Sequence, residues 1–308
     1  MENTEINTTN IKVLVLGGNG FIGRNIVAKL RLQGTQILIG SRKATQGNIV
    51  NVRMQHMKKP EDWLSLLQDV NVVVNSVGIL RERRGETYND IHTNSPAALA
   101  NACAQLNVRL IHVSALGLSL NAKSNFIRSK FNGEQAILAS GAQATIVRAS
   151  LLDGEGGFGA KWFRRVASWP LQLVMTSQGL IAPLQVTDLG EAIANLCMTQ
   201  QKNMPQIIEL GGTKVMSIPQ YLAQLRAAKK LKPALQLPMP KWLVRAASHV
   251  FDVLALTPLS FGHFELMQGY NVPAVNLLPA LLKRLPTELG VTTPINNVVV
   301  NCLKPSLI

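Results

Sequence analysis

The sequence predicts an α/β fold in which a doubly wound parallel sheet is followed by a smaller C-terminal lobe. Two observations predict it: six strand patterns alternate with helical patterns before residue 150, and the first strand ends in a glycine-rich turn. With 308 residues, 47% of them hydrophobic, the chain is long enough for such a sheet and a second lobe. We therefore divide it into an N-terminal domain that contains the sheet, 1–150, and a smaller C-terminal lobe, 151–308, part of which returns to the sheet.

The first strand and its turn occupy residues 11–23. An aliphatic, β-branched run, typical of a strand buried on both faces, leads into three glycines spaced three residues apart. A tight turn needs residues that tolerate positive φ, and a pyrophosphate approaches the backbone only where no Cβ intervenes. The next helix would aim free N–H groups at the phosphates. The residues assigned to this Rossmann-type dinucleotide site are Gly17, Gly20, Phe21, Ile22 and Gly23; an ordinary strand turn is the alternative.

The second predicted strand, 36–39, ends in Gly40-Ser41-Arg42-Lys43. NAD-selective folds carry an acidic residue near this point, which binds the ribose hydroxyls. Here a serine, an arginine and a lysine stand instead, and they suit a 2′-phosphate. The sequence therefore favours NADP(H) over NAD(H), with a solvated basic turn as the alternative.

The remaining elements of the sheet follow in order. Predicted strands cover 48–54, 70–77, 109–113 and 144–148, and predicted helices begin near 60, 95 and 126. The strand 70–77 ends at Ser76-Val77-Gly78, where the glycine lets the backbone lie against the adenosine side of a nucleotide. We assign Ser76, Val77 and Gly78 to the cofactor site.

The composition changes beyond residue 157. A helix is expected from 187 to 198, opened by Asp188 as a capping residue, and a late strand at 207–212 is expected to return to the sheet. Ser217 and Gln220 fit a capping box around Pro219. The proline-rich stretch 232–240 is predicted to be a connector, and 241–256 a helix.

The net charge of +14 and a pI near 10.1 imply an anionic partner. Aromatic residues make up only 5% and do not interleave with the basic ones, so nucleic acid is the least favoured partner. A basic-aromatic segment is instead a candidate for contact with an anionic membrane surface or a membrane protein complex; its residues are Lys161, Trp162, Phe163, Arg164, Arg165 and Trp169. The alternative is a helix with buried aromatics and solvated arginines.

Three scattered cysteines, Cys103, Cys197 and Cys302, favour a reducing compartment and no structural metal site. The polar start, residues 1–10, resembles neither a secretory signal nor a transit peptide. We expect a cytoplasmic protein that can lie at the inner membrane surface. The oligomeric state is left open.

Six stretches together resemble the atypical branch of the short-chain dehydrogenase/reductase superfamily, which is epimerase/dehydratase-like. This branch includes the nucleotide-binding accessory subunit of respiratory complex I and its bacterial relatives. The stretches are 16–23, 74–81, 110–117, 129–134, 183–188 and 266–272. The glycine motif is common to many protein families, whereas the stretches 74–81 and 110–117 are much more specific to this branch.

The resemblance implies a catalytic set of a serine, a tyrosine and a lysine four residues after the tyrosine. Ser114 and Lys130 match the serine and the lysine, and Lys130 would also hold the nicotinamide ribose. Phe126 stands at the tyrosine position, so the usual proton donor is missing. His92 stands near the place of the relay asparagine; both His92 and His112 are interpreted as structural.

Two hypotheses follow. In the first, the chain is a cofactor-bound accessory or redox-sensing protein whose hydride-transfer chemistry is lost or altered. In the second, it is an active NAD(P)H-dependent oxidoreductase or epimerase that acts on a small or lipid-like substrate.

Overall fold

The computed structural model describes residues 11–43, 47–175, 177–199, 204–240, 242–243 and 261–289. The strands are β1 (Lys12–Leu16), β2 (Gln36–Ser41), β3 (Ile49–Asn51), β4 (Val72–Asn75), β5 (Arg109–Ala115), β6 (Ala144–Ala149), β7 (Leu152–Asp153), β8 (Leu171–Met175), β9 (Leu180–Ile181), β10 (Leu184–Gln185), β11 (Ile207–Leu210), β12 (Leu235–Met239) and β13 (Tyr270–Asn271). The α-helices are α1 (Phe21–Leu32), α2 (Glu61–Leu67), α3 (Ser95–Leu106), α4 (Asn125–Ala139), α5 (Phe158–Ala167), α6 (Val186–Met198), α7 (Ile218–Ala228), α8 (Phe261–Gln268) and α9 (Leu278–Leu282). A 3₁₀ turn (Met54–His56) precedes α2, and a π-helical turn (Asn89–Asn94) runs into α3.

Seven strands form one parallel sheet in the order β3-β2-β1-β4-β5-β6-β11. The chain winds outward from β1 to β3 and then returns to the other side of β1. Strand β1 therefore lies between β2 and β4, and its residue Val15 pairs with Ile39 on one side and with Val74 on the other. This reversal leaves a crevice at the carboxyl ends of β1 and β4, the usual ligand site of such sheets. The predicted doubly wound parallel sheet is confirmed.

Strand β1 is buried on both faces, as its aliphatic sequence predicts. Val13 and Val15 pack into the core on one face, against α1 and α6. Leu14 and Leu16 pack into the core on the other face, which includes Trp63 of α2. Because alternate side chains of a strand point to opposite faces, one apolar run serves both layers of helices.

The late strand predicted at 207–212 is confirmed as β11, which pairs with β6 and extends the sheet by one strand. The capping box at the start of α7 is also confirmed. Beyond β6, a separate apolar cluster joins α5, α7 and β8. The division at residue 150 stays a prediction.

Two predicted segments differ from the structure. The stretch 232–240 is not only a connector, because β12 lies in it and pairs in parallel with β8. The predicted strand 48–54 is shortened to β3, and its last predicted residue, Met54, begins a 3₁₀ turn instead. The predicted helix 241–256 falls outside the described residues except for 242–243, and residues 1–10 and Cys302 also lie outside them.

Asp188 does not cap α6. Gln185 is the N-cap residue, and Asp188 lies buried in the first turn of the helix. Its carboxylate accepts hydrogen bonds from Arg284 Nη2 (2.8 Å), Thr287 N (2.6 Å) and Thr287 Oγ1 (2.9 Å). Asp188 therefore joins α6 to the segment that follows α9.

None of the helices seen in the described ranges is long and apolar enough to cross a membrane. Cys103 and Cys197 are buried and unpaired, and burial raises the pKa of each thiol to about 12.

Candidate functional site

A cavity of about 780 Å³ lies along the carboxyl ends of the central strands. It brings together most of the site residues predicted from the sequence. Those that line it are Gly17, Gly20, Phe21, Ile22, Ser41, Arg42, Ser76, Val77, Gly78, Ser114, Phe126 and Lys130. Gly23 and Lys43 do not line it.

The turn after β1 is built on two glycines. Gly17 has a φ of +74°, which favours glycine, and its N–H donates to Gly40 O at 3.0 Å. Gly23 does not face the cavity; instead, a Cβ at this position would overlap the carbonyl oxygen of Gly17. Gly23 therefore lets α1 pack directly on the turn, which fixes where the helix begins.

The first turn of α1 is suited to an anion. Gly20 is the N-cap residue and offers no side-chain acceptor, and the first turn contains no acidic residue. The first N–H groups of a helix have no partners within the helix, and the helix dipole makes this end positive. With Gly17 and Gly20 lining the cavity beside it, this cradle fits the diphosphate of a dinucleotide.

The end of β4 is tied to β1 beside the glycine turn. Ser76 Oγ donates to Leu16 O at 2.7 Å, and Val77 N–H donates to Asn75 Oδ1 at 3.1 Å. These bonds hold residues 76–78 against the crevice, where the sequence predicts contact with the nucleotide.

At the end of β2, Arg42 already has an acidic partner. Its Nη1 lies 3.0 Å from Glu86 Oε1, and the arginine side chain is 69% exposed whereas that of Glu86 is 14% exposed. Both residues line the cavity. Ser41 Oγ accepts a hydrogen bond from Asn19 Nδ2 at 3.3 Å, and Lys43 is exposed. Glu86 was missed from the sequence, since nothing local indicates that it meets a residue 44 positions away.

Ser114 offers a buried hydroxyl to the cavity. The residue is 7% exposed, and its Oγ has no hydrogen-bond partner among the described residues. A buried polar group without a partner costs free energy, so such groups in native proteins usually bind a ligand or water. The position fits a serine that binds the oxygen of a substrate or cofactor.

Phe126 and Lys130 lie one turn apart on the same face of α4, and both line the cavity. Lys130 Nζ is 5.8 Å from the centre of the Phe126 ring. Burial lowers the pKa of the Lys130 ammonium, while Glu134 acts in the opposite direction and raises it. The predicted serine-aromatic-lysine set is therefore assembled at one cavity.

Three aromatic rings surround Phe126. Their centroids lie 5.7 Å (Tyr88), 5.6 Å (His92) and 5.1 Å (His263) from that of Phe126. The Tyr88 hydroxyl donates to Leu80 O at 2.9 Å. His263, from α8, lines the cavity and was also missed from the sequence, because it reaches the site from 137 positions along the chain.

His92 is a structural residue, as interpreted from the sequence. The hydrogen bonds assign its tautomer: Nδ1–H donates to Ser129 Oγ (3.0 Å), which donates to Phe126 O (3.1 Å), and Nε2 accepts from Ile79 N (3.2 Å). Burial, with a smaller effect of the Lys130 charge, lowers the pKa of His92 well below its usual value. The ring is therefore neutral, and both of its nitrogens are engaged.

His112 is neutral for the same reason. Its Nδ1 accepts a hydrogen bond from Asn75 Nδ2 at 3.2 Å, and burial lowers its pKa to about 3. This agrees with its interpretation as a packed side chain.

The part of the cavity formed by residues beyond β6 is largely apolar. Its lining residues include Leu151, Leu152, Phe158, Trp162, Phe163, Ile181, Ile218, Leu266 and Met267. Ser150 Oγ, also there, donates to Asn271 O at 2.7 Å. Among the described residues, Arg42 and Lys130 are the lysine and arginine side chains that line the cavity, and both precede residue 150.

Phe163 does not form the membrane contact considered for this segment, and for it the alternative of buried aromatics holds. Phe163 is buried and packs on Trp162 (5.3 Å between centroids) and Tyr221 (5.5 Å). Arg164 is not a surface cation either, since its guanidinium donates two hydrogen bonds of 3.1 Å to the buried Asp153 carboxylate. Of that segment, Lys161, Arg165 and Trp169 remain exposed.

No group of three or more histidine, cysteine or acidic side chains that could hold a metal ion occurs in the part of the chain described.

The family model of the NAD dependent epimerase/dehydratase family matches residues 13–211. Two curated relatives are NADH dehydrogenase (ubiquinone) 1 alpha subcomplex subunit 9, mitochondrial. That of Dictyostelium discoideum is 26% identical over 264 residues, covering 82% of this chain and 73% of the relative. That of Mus musculus is 28% identical over 202 residues, covering 61% and 53%, so this chain spans about half of its length. A third, the ceramide reductase of Caulobacter vibrioides, is 25% identical over 259 residues and covers 81% of each chain.

Solved structures with a similar fold include sugar-nucleotide enzymes. UDP-glucuronic acid 4-epimerase from Bacillus cereus, in complex with UDP-glucuronic acid and NAD, has a TM-score of 0.63 at 15% identity and covers 91% of this chain and 95% of its own. The NAD dependent NDP-hexosamine 5,6-dehydratase TunA has a TM-score of 0.64 at 14% identity, covering 95% and 98%. At these identities the likeness concerns the fold alone.

Proposed function

Because this chain belongs to the NAD dependent epimerase/dehydratase family, we propose that it is an NADP(H)-binding protein whose hydride-transfer chemistry is lost or altered. In this role it is a cofactor-bound accessory or redox-sensing protein. The observation that carries the proposal is the position of Phe126, which lines the same cavity as Ser114 and Lys130.

A bound nicotinamide supplies or accepts a hydride, and the protein must then supply or remove a proton. Ser114 can bind the substrate oxygen and Lys130 can hold the nicotinamide ribose. Phe126 keeps the aromatic ring but has no proton to exchange. His92 does not replace it, because its two ring nitrogens bond to Ser129 and Ile79.

The nucleotide itself can stabilise the protein without turning over. A ligand that binds only the native state stabilises it by about 2.7 kcal/mol at a hundred times its Kd. The cradle formed by the turn after β1 and the first turn of α1 remains complete, although Phe126 stands in place of the proton-donating tyrosine. A complete cradle without a proton donor favours a binding role over a catalytic one.

We propose that NADP(H) is preferred to NAD(H) through Ser41 and Arg42. The 3.0 Å contact between Arg42 and Glu86 weakens this preference, because the carboxylate competes with a 2′-phosphate for the guanidinium. A 2′-phosphate would have to draw the guanidinium away from the carboxylate. Conversely, Glu86 could accept a hydrogen bond from an unphosphorylated ribose, so the pair sets how strongly the two cofactors are distinguished.

The relatives named as NADH dehydrogenase subunits support an accessory role. We propose that the protein works in the cytoplasm, at the surface of the inner membrane or of a membrane protein complex. The excess of positive charge supports an anionic partner of this kind.

A second candidate function is an active oxidoreductase for a lipid-like substrate. The apolar lining of the second half of the cavity favours it, and one relative is named ceramide reductase. In that case His263, whose ring packs 5.1 Å from Phe126, is the candidate for the missing proton donor.

Native mass spectrometry of the protein as purified tests the proposal directly. We expect a mass increment of one NADP(H) per chain, and its loss in a Gly17→Val variant, whose side chain would press on Ser76 and Val77 at a position with positive φ. Purified protein without nucleotide, together with no binding of added NADPH by calorimetry, would contradict it.

A further inference from the structure

The second lobe exposes two rows of apolar side chains on one face of a two-stranded ribbon. Strands β8 and β12 pair in parallel, with Leu171 opposite Leu235 and Leu173 opposite Leu237. These four leucines, which we call the leucine ribbon, are between 41% and 64% exposed. Clustered exposed apolar side chains of this kind mark interaction sites, whereas scattered ones do not.

The opposite face of the ribbon is firmly packed, so the leucines are held outward. Between the two leucines of β8, Gln172 is buried and donates from Nε2 to Val166 O at 3.2 Å. Val174 lies in the cluster of Phe163 and Tyr221. From β12, Gln236 Nε2 donates to Gln172 Oε1 at 3.0 Å. Because side chains alternate along a strand, this inner packing fixes the leucines on the outer face.

Tryptophans extend the exposed surface at both ends of the ribbon. Trp169 precedes β8 and Trp242 follows β12, and they are 50% and 71% exposed. Indole rings are enriched at membrane–water interfaces, where the apolar body meets the acyl chains and the N–H stays near the headgroups.

The sequence around the ribbon is strongly basic. Residues 156–187 and 210–251 contain ten lysines and arginines and no aspartate or glutamate, although the whole chain has 17 acidic residues. Two of the ten, Arg164 and Lys214, pair with acidic residues outside these ranges, Asp153 and Glu288. Three of the lysines, Lys229, Lys230 and Lys232, are exposed in the turn that leads into β12. Lys229 Nζ donates to Ser168 Oγ at 2.6 Å, which places this basic turn at the Trp169 end of the ribbon.

Apolar side chains within a positively charged border complement an anionic bilayer. Leucines and tryptophans gain by burial in the acyl region, and each lysine gains by contact with acidic headgroups. A second copy of this chain is a poorer partner, because its identical basic border would be placed against this one. We propose that the leucine ribbon docks the protein on an anionic lipid bilayer. The inference deepens the proposed membrane location by naming the face that binds.

Vesicle co-sedimentation of the full chain tests the proposal. We expect binding to phosphatidylglycerol-containing vesicles that weakens with salt, and little binding to pure phosphatidylcholine. The double variant Leu173→Ser/Leu237→Ser should bind anionic vesicles about tenfold or more weakly, because two leucines no longer enter the apolar region. The matched control is Leu32→Ser/Leu120→Ser, two exposed leucines outside the ribbon, which should bind like the unaltered protein.

A charge-reversal pair tests the same face without changing its apolar side chains. Lys230→Glu/Lys232→Glu should weaken binding to anionic vesicles, whereas Arg31→Glu/Lys59→Glu, two exposed basic residues on α1 and before α2, should weaken it much less. Equal weakening by both pairs would show that net charge alone drives binding, and would overturn the assignment to the ribbon.

Two further outcomes would also overturn the proposal that the leucine ribbon binds the bilayer. One is unchanged vesicle binding in the leucine variant. The other is a change of oligomeric state in that variant in place of lost vesicle binding.

NADPH affinity, measured by calorimetry on each variant, separates this proposal from the proposed function. The ribbon variants should keep it, and loss of nucleotide binding in the unaltered protein would count against the function and not against the ribbon.

Discussion

The ammonium group of Lys130 lies 5.8 Å from the centre of the Phe126 ring, on the same face of α4. At this distance a cation is attracted to an aromatic ring. In the superfamily that the sequence resembles, a lysine in this position instead favours the ionised form of a tyrosine. Here the lysine retains its place while the group that it would activate is absent.

A tyrosine at position 126 should therefore restore hydride-transfer chemistry. A Phe126→Tyr variant is expected to gain NADPH-dependent reduction of simple aldehydes by about a hundredfold or more, the usual contribution of a general acid. Absorbance of the nicotinamide measures it. The double variant Phe126→Tyr/Lys130→Ala should show no such gain, and equal rates for the single and double variants would mean that Lys130 does not act on this position.

The pair of Arg42 and Glu86 should control cofactor preference. We expect NADPH to bind at least about tenfold more tightly than NADH, a difference of about 1.4 kcal/mol. Arg42→Ala should erase most of this difference, and Glu86→Gln should enlarge it, because the guanidinium no longer has a competing carboxylate. Calorimetry measures both, with Arg31→Ala, an exposed arginine in the last turn of α1, as control. Equal affinities for the two cofactors in the unaltered protein would rule out the role given to Arg42.

Gly23 should be essential although it does not line the cavity. In Gly23→Ala the new Cβ overlaps the Gly17 carbonyl, so α1 must shift away from the turn. We expect a loss of about 2 kcal/mol of unfolding free energy and of NADPH binding. Gly34→Ala is the control, since a Cβ there meets no atom within 4 Å. Its positive φ costs stability, but nucleotide binding should persist. Normal binding by Gly23→Ala would refute the packing explanation.

Acidification should destabilise the protein partly through His112. Burial lowers its pKa from 6.5 to about 3, so the unfolded chain binds the proton first as the pH falls. Its contribution to stability is complete above pH 6.5 and declines toward pH 3, by about 1.4 kcal/mol for each pH unit. Urea denaturation at pH 7 and pH 5 should show a smaller decline for His112→Gln than for His56→Gln, an exposed control. The same decline in both variants would be inconsistent with this assignment.

The sheet and the glycine turn could be predicted from the sequence because their signals are local. The aliphatic run of β1 and the spacing of Gly17, Gly20 and Gly23 are each contained in one short stretch. The motif matches also anticipated that Ser114, Phe126 and Lys130 meet at one cavity. Glu86 and His263 could not be predicted in this way, because their partners lie far away in the sequence.

The second lobe was harder to predict for a different reason. An aromatic residue beside arginines has the same local pattern whether it faces lipid or a core, and Phe163 proved to be buried. Proline within 232–240 argued against a strand, yet Pro238 is accommodated in β12, whose partner among the described strands is β8 alone. The sequence offered Trp162, Phe163 and Trp169 for this surface; of these, Trp169 is exposed, and it lies beside the leucine ribbon.

We propose that the protein binds NADP(H) but does not turn it over by the usual route. Incubation of the NADPH-loaded protein with a panel of aldehydes and ketones, followed by nicotinamide absorbance over many turnovers, tests it most directly. We predict stoichiometric binding with no steady oxidation. Steady oxidation that disappears in Lys130→Ala while NADPH binding persists would contradict the claim and show that catalysis survives without the tyrosine.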